Sequence, residues 1–293
     1  MWGHGISNDS RPGCKVEIRS FGFAPELQRY FSALYCYKVT APDGAGASDC
    51  IYPDWAGLHF NADGATSWIS IGDGAPHECA PFAANGPTSQ AMCLQTGGSK
   101  SWSLALNPLG WSRFADGPAN AVANTMVDGS THPSFRRLAP ILDIVRDGSG
   151  DDDATALRIA QYLCDVRQSR SNHEQQIAAM HDGLRDPAIG DVEALVARVG
   201  VSRRTLERLS SRYFGFPPKL LLRRQRFVRS LGKFTIDPDR SWSASLDGHY
   251  VDQAHFVRDF RSFMGMTPSE YAQMPHPILE SIFAQRLAEQ GAQ

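Results

Sequence analysis

Two segments in the last third of the chain follow the same plan, and this repetition constrains the fold more than any other feature of the sequence. The first, GVSRRTLERLSSRYFGFPP, begins at Gly200, and the second, YVDQAHFVRDFRSFMGMTP, begins at Tyr250. Each contains a small polar residue, a stretch with helical spacing, arginine, an aromatic residue, glycine and proline. Because small polar residues cap helix N-termini and glycine followed by proline ends helices, the sequence predicts two similar short helices, at about 202–214 and 252–264.

The first segment predicts the second helix of a helix-turn-helix unit. The preceding stretch DVEALVARVG supplies a supporting helix, Gly200 allows a left-handed turn, and Ser202 caps the helix that follows. On a helical wheel the inward face consists of Leu206, Leu209 and Tyr213. The outward face and its flanks consist of Arg203, Arg204, Glu207, Arg208 and Ser211. A major groove accepts a helix of this kind, and arginine can donate two hydrogen bonds to guanine.

The second segment predicts a comparable unit in which Asp252 is the expected cap. Its inward-facing residues are Phe256, Phe260 and Phe263. Its outward-facing residues are Gln253, Ala254, Val257, Arg258 and Arg261. The stretch RSWSASLDGHYVDQ before this helix is interrupted by Asp247 and Gly248, so we expect the supporting helix of this unit to be short or partly irregular.

The basic residues of the chain are concentrated near the first unit. The whole chain has a net charge of −2, but residues 198–229 contain ten basic residues and one acidic residue, Glu207. Part of that charge lies on the amphipathic stretch PPKLLLRRQRFVRSLGKF, which predicts one long helix joining the two units. A rigid connecting helix would fix the spacing of the two units for successive major grooves, and we expect Arg223 on it to contact DNA phosphates.

Residues from about 173 to 273 resemble the DNA-binding domain of AraC/XylS-type transcription regulators, in which seven helices hold two helix-turn-helix units. The matching residues in the first unit are Leu195, Ala197, Gly200, Val201, Ser202, Leu206, Arg208, Leu209, Phe214, Gly215, Pro218, Arg226 and Leu231. In the second unit they are Tyr250, Asp252, Gln253, His255, Phe256, Arg258, Phe260, Gly265, Pro268 and Tyr271.

This resemblance implies a sequence-specific transcription regulator whose recognition helices read DNA bases. The implied base readers are Arg204, Glu207 and Arg208 in the first unit and Gln253, Ala254 and Arg258 in the second. The other expected DNA-contacting residues are Ser202, Arg203, Thr205, Ser211, Arg223, His255, Val257 and Arg261. Double-stranded DNA is the expected partner, and RNA polymerase is a further candidate.

The first part of the chain has the texture of a β-protein, with short runs rich in β-branched and aromatic residues between Gly, Pro, Asp and Asn. The stretches PELQRYFSALYCY, YPDWAGLHF, FAANGPTSQA and LNPLGWSRF follow one another in this part. Through them residues 15–130 resemble the barrel-like sensor domains, often related to cupins, that precede this DNA-binding module. The predicted fold class is therefore α+β, with a β-barrel or cupin-like domain ahead of an all-α domain. The expected boundaries are 1–132 for the sensor domain, 133–172 for a helical linker, 173–275 for the DNA-binding domain and 276–293 for a C-terminal tail.

Aromatic residues and histidine suggest a ligand cavity in the sensor domain, although the same residues could simply fill a barrel. The candidate ligand-binding residues are Trp55, His59, Trp68, Trp102 and Trp111. A metal-binding cupin needs several clustered histidines and a glutamate, whereas His59 stands alone and His77–Glu78 lies in a Gly/Pro-rich loop. We therefore expect no metal, no cofactor and no catalytic residue, and an unidentified small-molecule effector.

The six cysteines form no CxxC pair, which favours small buried residues in a reducing compartment over a reactive or ligand-binding cysteine. No apolar run approaches the roughly 18 residues of a membrane span. The start of the chain lacks the basic-then-apolar order of a secretion signal. We therefore expect a cytoplasmic protein without membrane contact.

Two helical stretches, 134–146 and 153–168, lie between the expected domains, and each has an apolar stripe. These helices could pack only on their own sensor domain. We favour a homodimer in which Leu157, Ala160, Leu163 and Cys164 meet their copies, because two DNA-binding modules read a longer site than one.

The function expected from these features is regulation of transcription by sequence-specific DNA binding, modulated through the N-terminal domain. The alternative is a cupin-like enzyme or ligand-binding protein fused to a DNA-binding module, and the enzyme would need a metal site or a group of residues around a nucleophile. A structural adaptor with a similar helix-turn-helix fold would lack the exposed arginine stripe and the basic connecting helix.

Overall fold

The computed structural model describes residues 14–41, 46–148, 150–169, 171–236 and 245–282. Within these residues, two antiparallel β-sheets form the N-terminal part and helices form the C-terminal part. This arrangement confirms the α+β class and its order. No helix of the described residues is both long enough and apolar enough to cross a membrane.

The β-part consists of β1 (Lys15–Phe21), β2 (Phe31–Thr40), β3 (Ala47–Ile51), β4 (Ala56–Asn61), β5 (Ser67–Ile71), β6 (His77–Glu78), β7 (Phe82–Asn85), β8 (Met92–Thr96), β9 (Ser99–Leu106) and β10 (Met126–Asp128). One sheet has the order β1-β2-β9-β4-β7-β10 and the other β3-β8-β5-β6. Successive side chains of a strand point to opposite faces of the sheet. In β4 this places Ala56, Leu58 and Phe60 in the core, while Gly57 and His59 are half-buried.

The helices are α1 (Pro25–Gln28), α2 (Pro108–Phe114), α3 (Pro140–Asp147), α4 (Asp152–Val166), α5 (Glu174–Arg185), α6 (Val192–Val199), α7 (Arg203–Leu209), α8 (Pro218–Ile236), α9 (Gln253–Met264) and α10 (Pro268–Ala272). A π-helical turn, Ser210–Phe214, continues α7, and residues 277–282 are helical as well. The short 3-10 helices are Ala119–Val122 and Arg136–Leu138.

The hydrophobic core does not stop at the predicted boundary between sensor and DNA-binding domains. One cluster of buried residues extends from the strands through α2 and α5 to Leu206 and Phe214. A second cluster surrounds Phe227 on α8 and the phenylalanines of α9, and it includes Ala91 of the β-part. Since burial of shared apolar surface is the main stabilising force, the two parts stabilise each other.

Cys50 and Cys93 form a disulfide, which corrects the expectation that the cysteines are reduced core residues. The antiparallel register of β3 and β8 pairs these two residues directly, with their Cα atoms 4.1 Å apart. They are separated by 43 positions in the sequence, and only strand pairing brings them together. The described free cysteines also differ in environment, since Cys36 is buried and Cys164 is exposed.

The residues of α4 that we predicted to pair between subunits do not all face the same way: some are buried in the protein's own core and others are exposed. Leu163 is fully buried in the protein's own core, next to Ile159, so it is closed to a second subunit. Leu157 is 59% exposed and Cys164 is exposed on the outer side. A self-association surface on α4 would therefore be narrower than the sequence predicted.

Candidate nucleic-acid interface

The first unit has the predicted helix-turn-helix geometry. Helix α6 begins after Asp191, whose Oδ1 accepts a hydrogen bond from the Ala194 amide at 2.8 Å. It ends at Gly200, which has φ 72°, the left-handed conformation that favours glycine. Ser202 then caps α7, its Oγ accepting from the Thr205 amide at 3.3 Å. The cap and the glycine confirm how the chain turns between the two helices.

The outer face of α7 is charged and exposed, as the wheel predicts. Leu206, Leu209 and Tyr213 are buried on the inner face. The exposed residues on the other face are Ser202, Arg203, Arg204, Glu207 and Arg208, whereas Thr205 and Ser211 are half-buried. Arg203 lies 2.8 Å from Glu193 and 3.4 Å from Glu207, and such exposed ion pairs contribute little to stability.

The second unit presents a similar outer face on α9. Asp252 caps this helix, its Oδ1 accepting from the His255 amide at 2.6 Å, and Phe256, Phe260 and Phe263 are buried. The exposed residues are Gln253, Ala254, Arg258 and Arg261, whereas His255 and Val257 are half-buried. The supporting helix expected before α9 falls partly on residues 237–244, which lie outside the described residues.

Several arginines of the connecting helix α8 are bonded to other groups of the protein, and the phosphate contact expected for Arg223 stays a prediction. The Arg223 guanidinium donates to Asp259 of α9 at 2.6 and 3.0 Å and lies over the Phe263 ring. Arg229 pairs with Asp247 at 2.6 Å, and Arg226 donates to the His249 carbonyl. Three arginines of α8 are therefore bonded to acidic side chains or carbonyls distant in sequence, and Arg223 is the one of them that we expected at DNA.

The pair between Arg223 and Asp259 links α8 to the second recognition helix. Asp259 is almost fully buried, and its other oxygen accepts from the Tyr250 hydroxyl at 3.1 Å. Burial, together with the charge of Asp259, raises the pKa of Tyr250, so this hydroxyl stays protonated and donates. The network fixes the rotation of α9 about its axis and hence which of its residues face outward.

Arg224 of α8 joins the helical part to the β-part. It is fully buried, its Nη1 donates to the carbonyls of Asp54 and Thr88, and its guanidinium lies 3.8 Å from the centre of the Trp55 ring. Burial lowers its pKa to about 10, so the group is still charged at neutral pH. A buried charge needs such partners, and removing them would leave an unpaired cation in the interface.

The five candidate ligand-binding residues separate into two groups. Trp55, His59 and Trp68 line a cavity between the two sheets. Trp102 and Trp111 do not line it, because Trp102 stacks on Phe21 and Trp111 packs against Phe135 in the core. His59 Nε2 donates to Asn85 Oδ1 at 2.9 Å, and His59 Nδ1 lies 2.8 Å from Ser103 Oγ. The two core tryptophans therefore only fill the sandwich.

Sequence reasoning did not find Asp259 or Arg224, although a signal for the former was present. Asp259 is a charged residue on the inward, aromatic side of the α9 wheel, and a buried carboxylate needs a partner. Arg224 gave no comparable signal, because its partners are backbone carbonyls about 140 to 170 positions earlier.

Comparisons with known proteins agree with this geometry in one region. Residues 195–274 match the family model described as a helix-turn-helix domain, which confirms the expected resemblance over those residues. The comparison with curated proteins gives no match.

Solved structures similar to this chain include ToxT from Vibrio cholerae O395, at 10% identity over 89% of this chain and 98% of that one, with a TM-score of 0.45. ToxT from the same source bound to (E)-4-(8-methylnaphthalen-1-yl)but-3-enoic acid is 10% identical over 88% of this chain and 98% of that one, with a TM-score of 0.46. The AraC-like transcriptional activator CuxR is 16% identical over 74% of this chain and 87% of that one, with a TM-score of 0.30.

The chain thus contains a helix-turn-helix domain at residues 195–274, placed behind a β-sandwich. Within that domain lie α7 and α9, the two helices with exposed arginine faces.

Proposed function

We propose that this protein regulates transcription by binding specific DNA sequences, with α7 and α9 in successive major grooves. The observation that carries the proposal is the exposed arginine face on each helix, opposite an apolar face buried in the same unit. A charged outer face on a capped helix fits the major groove in width and in hydrogen-bonding chemistry. The proposed role is binding, and it assigns the chain no catalytic residue.

The proposed base readers are Arg204, Glu207 and Arg208 on α7 and Gln253, Ala254 and Arg258 on α9. Exposed long donors such as Arg208 can reach guanine, whereas a glutamate can accept from cytosine. The proposed helpers around them are Ser202, Arg203, Thr205, Ser211, His255, Val257 and Arg261. Arg223 stays a proposed phosphate contact rather than a member of this set, because Asp259 holds its guanidinium.

The proposed organisation is a sensor domain at 1–132, a helical linker at 133–172, a DNA-binding domain at 173–275 and a tail at 276–293. The cavity of the β-part supports a small-molecule effector as the modulating signal. RNA polymerase and a second copy of the chain are further proposed partners.

Selection of genomic fragments by the full-length protein tests this function. We expect the wild type to enrich a defined sequence, and Arg208→Ala to lose about 1–3 kcal/mol of specific affinity and to relax sequence choice at one position. Arg146→Ala removes an equally exposed arginine from α3 and serves as the charge-matched control. No enrichment by the wild type, or equal effects of the two variants, would contradict the proposal.

A further inference from the structure

The cavity of the β-part is lined mainly by apolar side chains and has a volume of about 200 Å³. Both sheets contribute to it, for example Trp55 and Phe60 from one side and Trp68, Ile69 and Leu94 from the other. A dry apolar cavity of this order accommodates a small hydrophobic molecule. The space is therefore suited to an organic ligand of one or two rings.

The charges around this cavity are few. Among its described lining residues there is no lysine or arginine, and Asp54 is the one carboxylate. Burial lowers the pKa of His59, so this side chain is neutral at pH 7. An anionic group placed here would lose its hydration without gaining a cation, which is strongly unfavourable. The lining thus favours an uncharged ligand.

One wall of the cavity comes from the other end of the chain. Ile278, Leu279 and Ile282, which follow the helix-turn-helix domain, line the cavity together with the strands. Ile278 and Leu279 are buried there, while Glu280 between them and Ile282 is exposed. Residues 276–282, which we name the C-terminal latch, therefore contribute apolar surface that any occupant of the cavity would touch.

The buried carboxylate of Asp49 on β3 holds the C-terminal latch in place. Asp49 Oδ2 accepts from the amides of Ile278 and Leu279 at 3.0 and 2.9 Å, and Oδ1 lies 3.0 Å from His276 Nδ1. His276 Nε2 lies 2.9 Å from the Tyr271 carbonyl oxygen. A carbonyl oxygen and an ionised carboxylate can both accept a hydrogen bond but cannot donate one. Both ring nitrogens of His276 therefore donate. The contact is an ion pair between imidazolium and carboxylate.

The C-terminal latch is also connected to the second recognition helix. Tyr271 of α10, whose carbonyl accepts from His276, packs on Phe260 of α9 with ring centres 5.6 Å apart. The backbone carbonyl of Phe263, on the same helix, accepts from the Ala91 amide of the β-part at 2.7 Å. His276 and Tyr271 therefore connect the cavity wall to Phe260 in the core of α9.

We propose that the cavity binds an uncharged, largely apolar small molecule and that the C-terminal latch forms part of the binding site, so that occupancy is sensed by the second helix-turn-helix unit. Only the last part of this inference, the effect of the ligand on DNA binding, rests on the proposed function. The binding site itself depends on the cavity and on the Asp49 contacts.

Two fluorescent probes with one skeleton test the ligand class on the full chain. 1-Naphthylamine is uncharged at neutral pH, and 8-aminonaphthalene-1-sulfonate adds one sulfonate to the same two rings. We expect the uncharged probe to bind at least about tenfold more tightly, because the cavity holds no cation for the sulfonate. Failure of the uncharged probe to bind, or equal affinity of the two probes, would overturn the proposal.

Neighbouring residues of the C-terminal latch provide the test of the site. Leu279→Ala and Ile282→Ala should each weaken binding of the uncharged probe several-fold, whereas Gln273→Ala, an exposed position just before the latch, should leave its binding unchanged. Saturating probe should slow amide exchange at 276–282 in the wild type, a readout that does not depend on the stability of a variant. Equal binding by all three variants together with unchanged exchange would show that the latch is no part of the site.

The two proposals fail separately. If the wild type enriches a DNA sequence but binds neither probe, the inference is wrong and the proposed function stands. If the probe binds, depends on Leu279 and slows exchange, but no DNA is enriched, the binding site is supported and the proposed function is wrong. If both hold, the probe should change the affinity for the enriched sequence, and Asp49→Asn should reduce that change.

Discussion

Arginine residues in the helix-turn-helix domain have two kinds of environment, and the environment decides what each residue can do. Arg204, Arg208 and Arg258 are exposed on outer faces, where a guanidinium is available to a base or phosphate. Arg223, on α8, has its guanidinium committed to a buried carboxylate. The sequence predicts one basic surface for all of these residues, whereas the structure leaves the first group exposed and pairs the guanidinium of Arg223 with Asp259.

Arg223→Ala tests this difference as a change in stability. The substitution leaves the buried Asp259 carboxylate with the Tyr250 hydroxyl and without its cation, so we expect the free energy of unfolding to fall by about 1.5–3 kcal/mol. Thermal or denaturant unfolding of the full chain measures it, with Arg208→Ala as the exposed control. The double variant Arg223→Ala/Asp259→Asn should recover part of the loss. An unchanged stability would mean that the ion pair contributes nothing.

At the scale of elements, capping and periodicity predicted α7 and α9 because both signals are local. Ser202, Asp252 and Gly200 act within four residues of their own positions, and the apolar stripes of both helices need no distant partner to be recognised. The Cys50–Cys93 disulfide, the Asp259 network and the cavity wall depend on strand register or on residues far apart in sequence. Those contacts are set by tertiary packing, which periodicity does not encode.

The inward stripes of these two helices predict large effects of truncation. Leu206→Ala and Phe256→Ala each remove a fully buried side chain, so we expect losses of about 2–5 kcal/mol in the free energy of unfolding. Unfolding of the full chain, monitored by circular dichroism, measures both. A variant with wild-type stability that no longer binds DNA would mean that its residue faces the groove and that the wheel is wrong.

Self-association belongs to the surface of α4. Leu157 is exposed there, whereas Leu163 is buried, so Leu157→Glu alone probes a dimer without disturbing the core. We expect the wild type to sediment as a dimer and Leu157→Glu as a monomer, because a charge at an isologous contact meets its own copy. Ser269→Glu introduces the same charge at an exposed position on α10, away from α4, and should leave the dimer unchanged as a control. A wild type that stays monomeric with and without DNA would contradict the prediction.

At the scale of the whole molecule, three of the polar contacts that join the β-part to the helical part differ in chemistry. Arg224 bonds to carbonyls of the β-part, the Ala91 amide bonds to α9, and Asp49 bonds to the C-terminal latch. The charged and titratable groups that face His276 in the latch are Asp49, Glu280 and Tyr271. Of these three attachments, the latch is the one whose charge state can change near neutral pH.

The latch should weaken as pH rises. Burial lowers the pKa of His276, but its bonds to Asp49 and to the Tyr271 carbonyl more than offset this, so its pKa is raised above 6.5 in the folded protein. A raised folded-state pKa contributes stability that is fully present below the unfolded value and is lost as pH passes through the folded value. We therefore expect the difference in melting temperature between wild type and His276→Gln to be largest at about pH 6 and to shrink toward about pH 9. Comparing the two proteins at each pH cancels the contributions of His59 and His181, whose pKa values burial lowers. A difference that does not change with pH would mean that His276 holds the latch without its second proton.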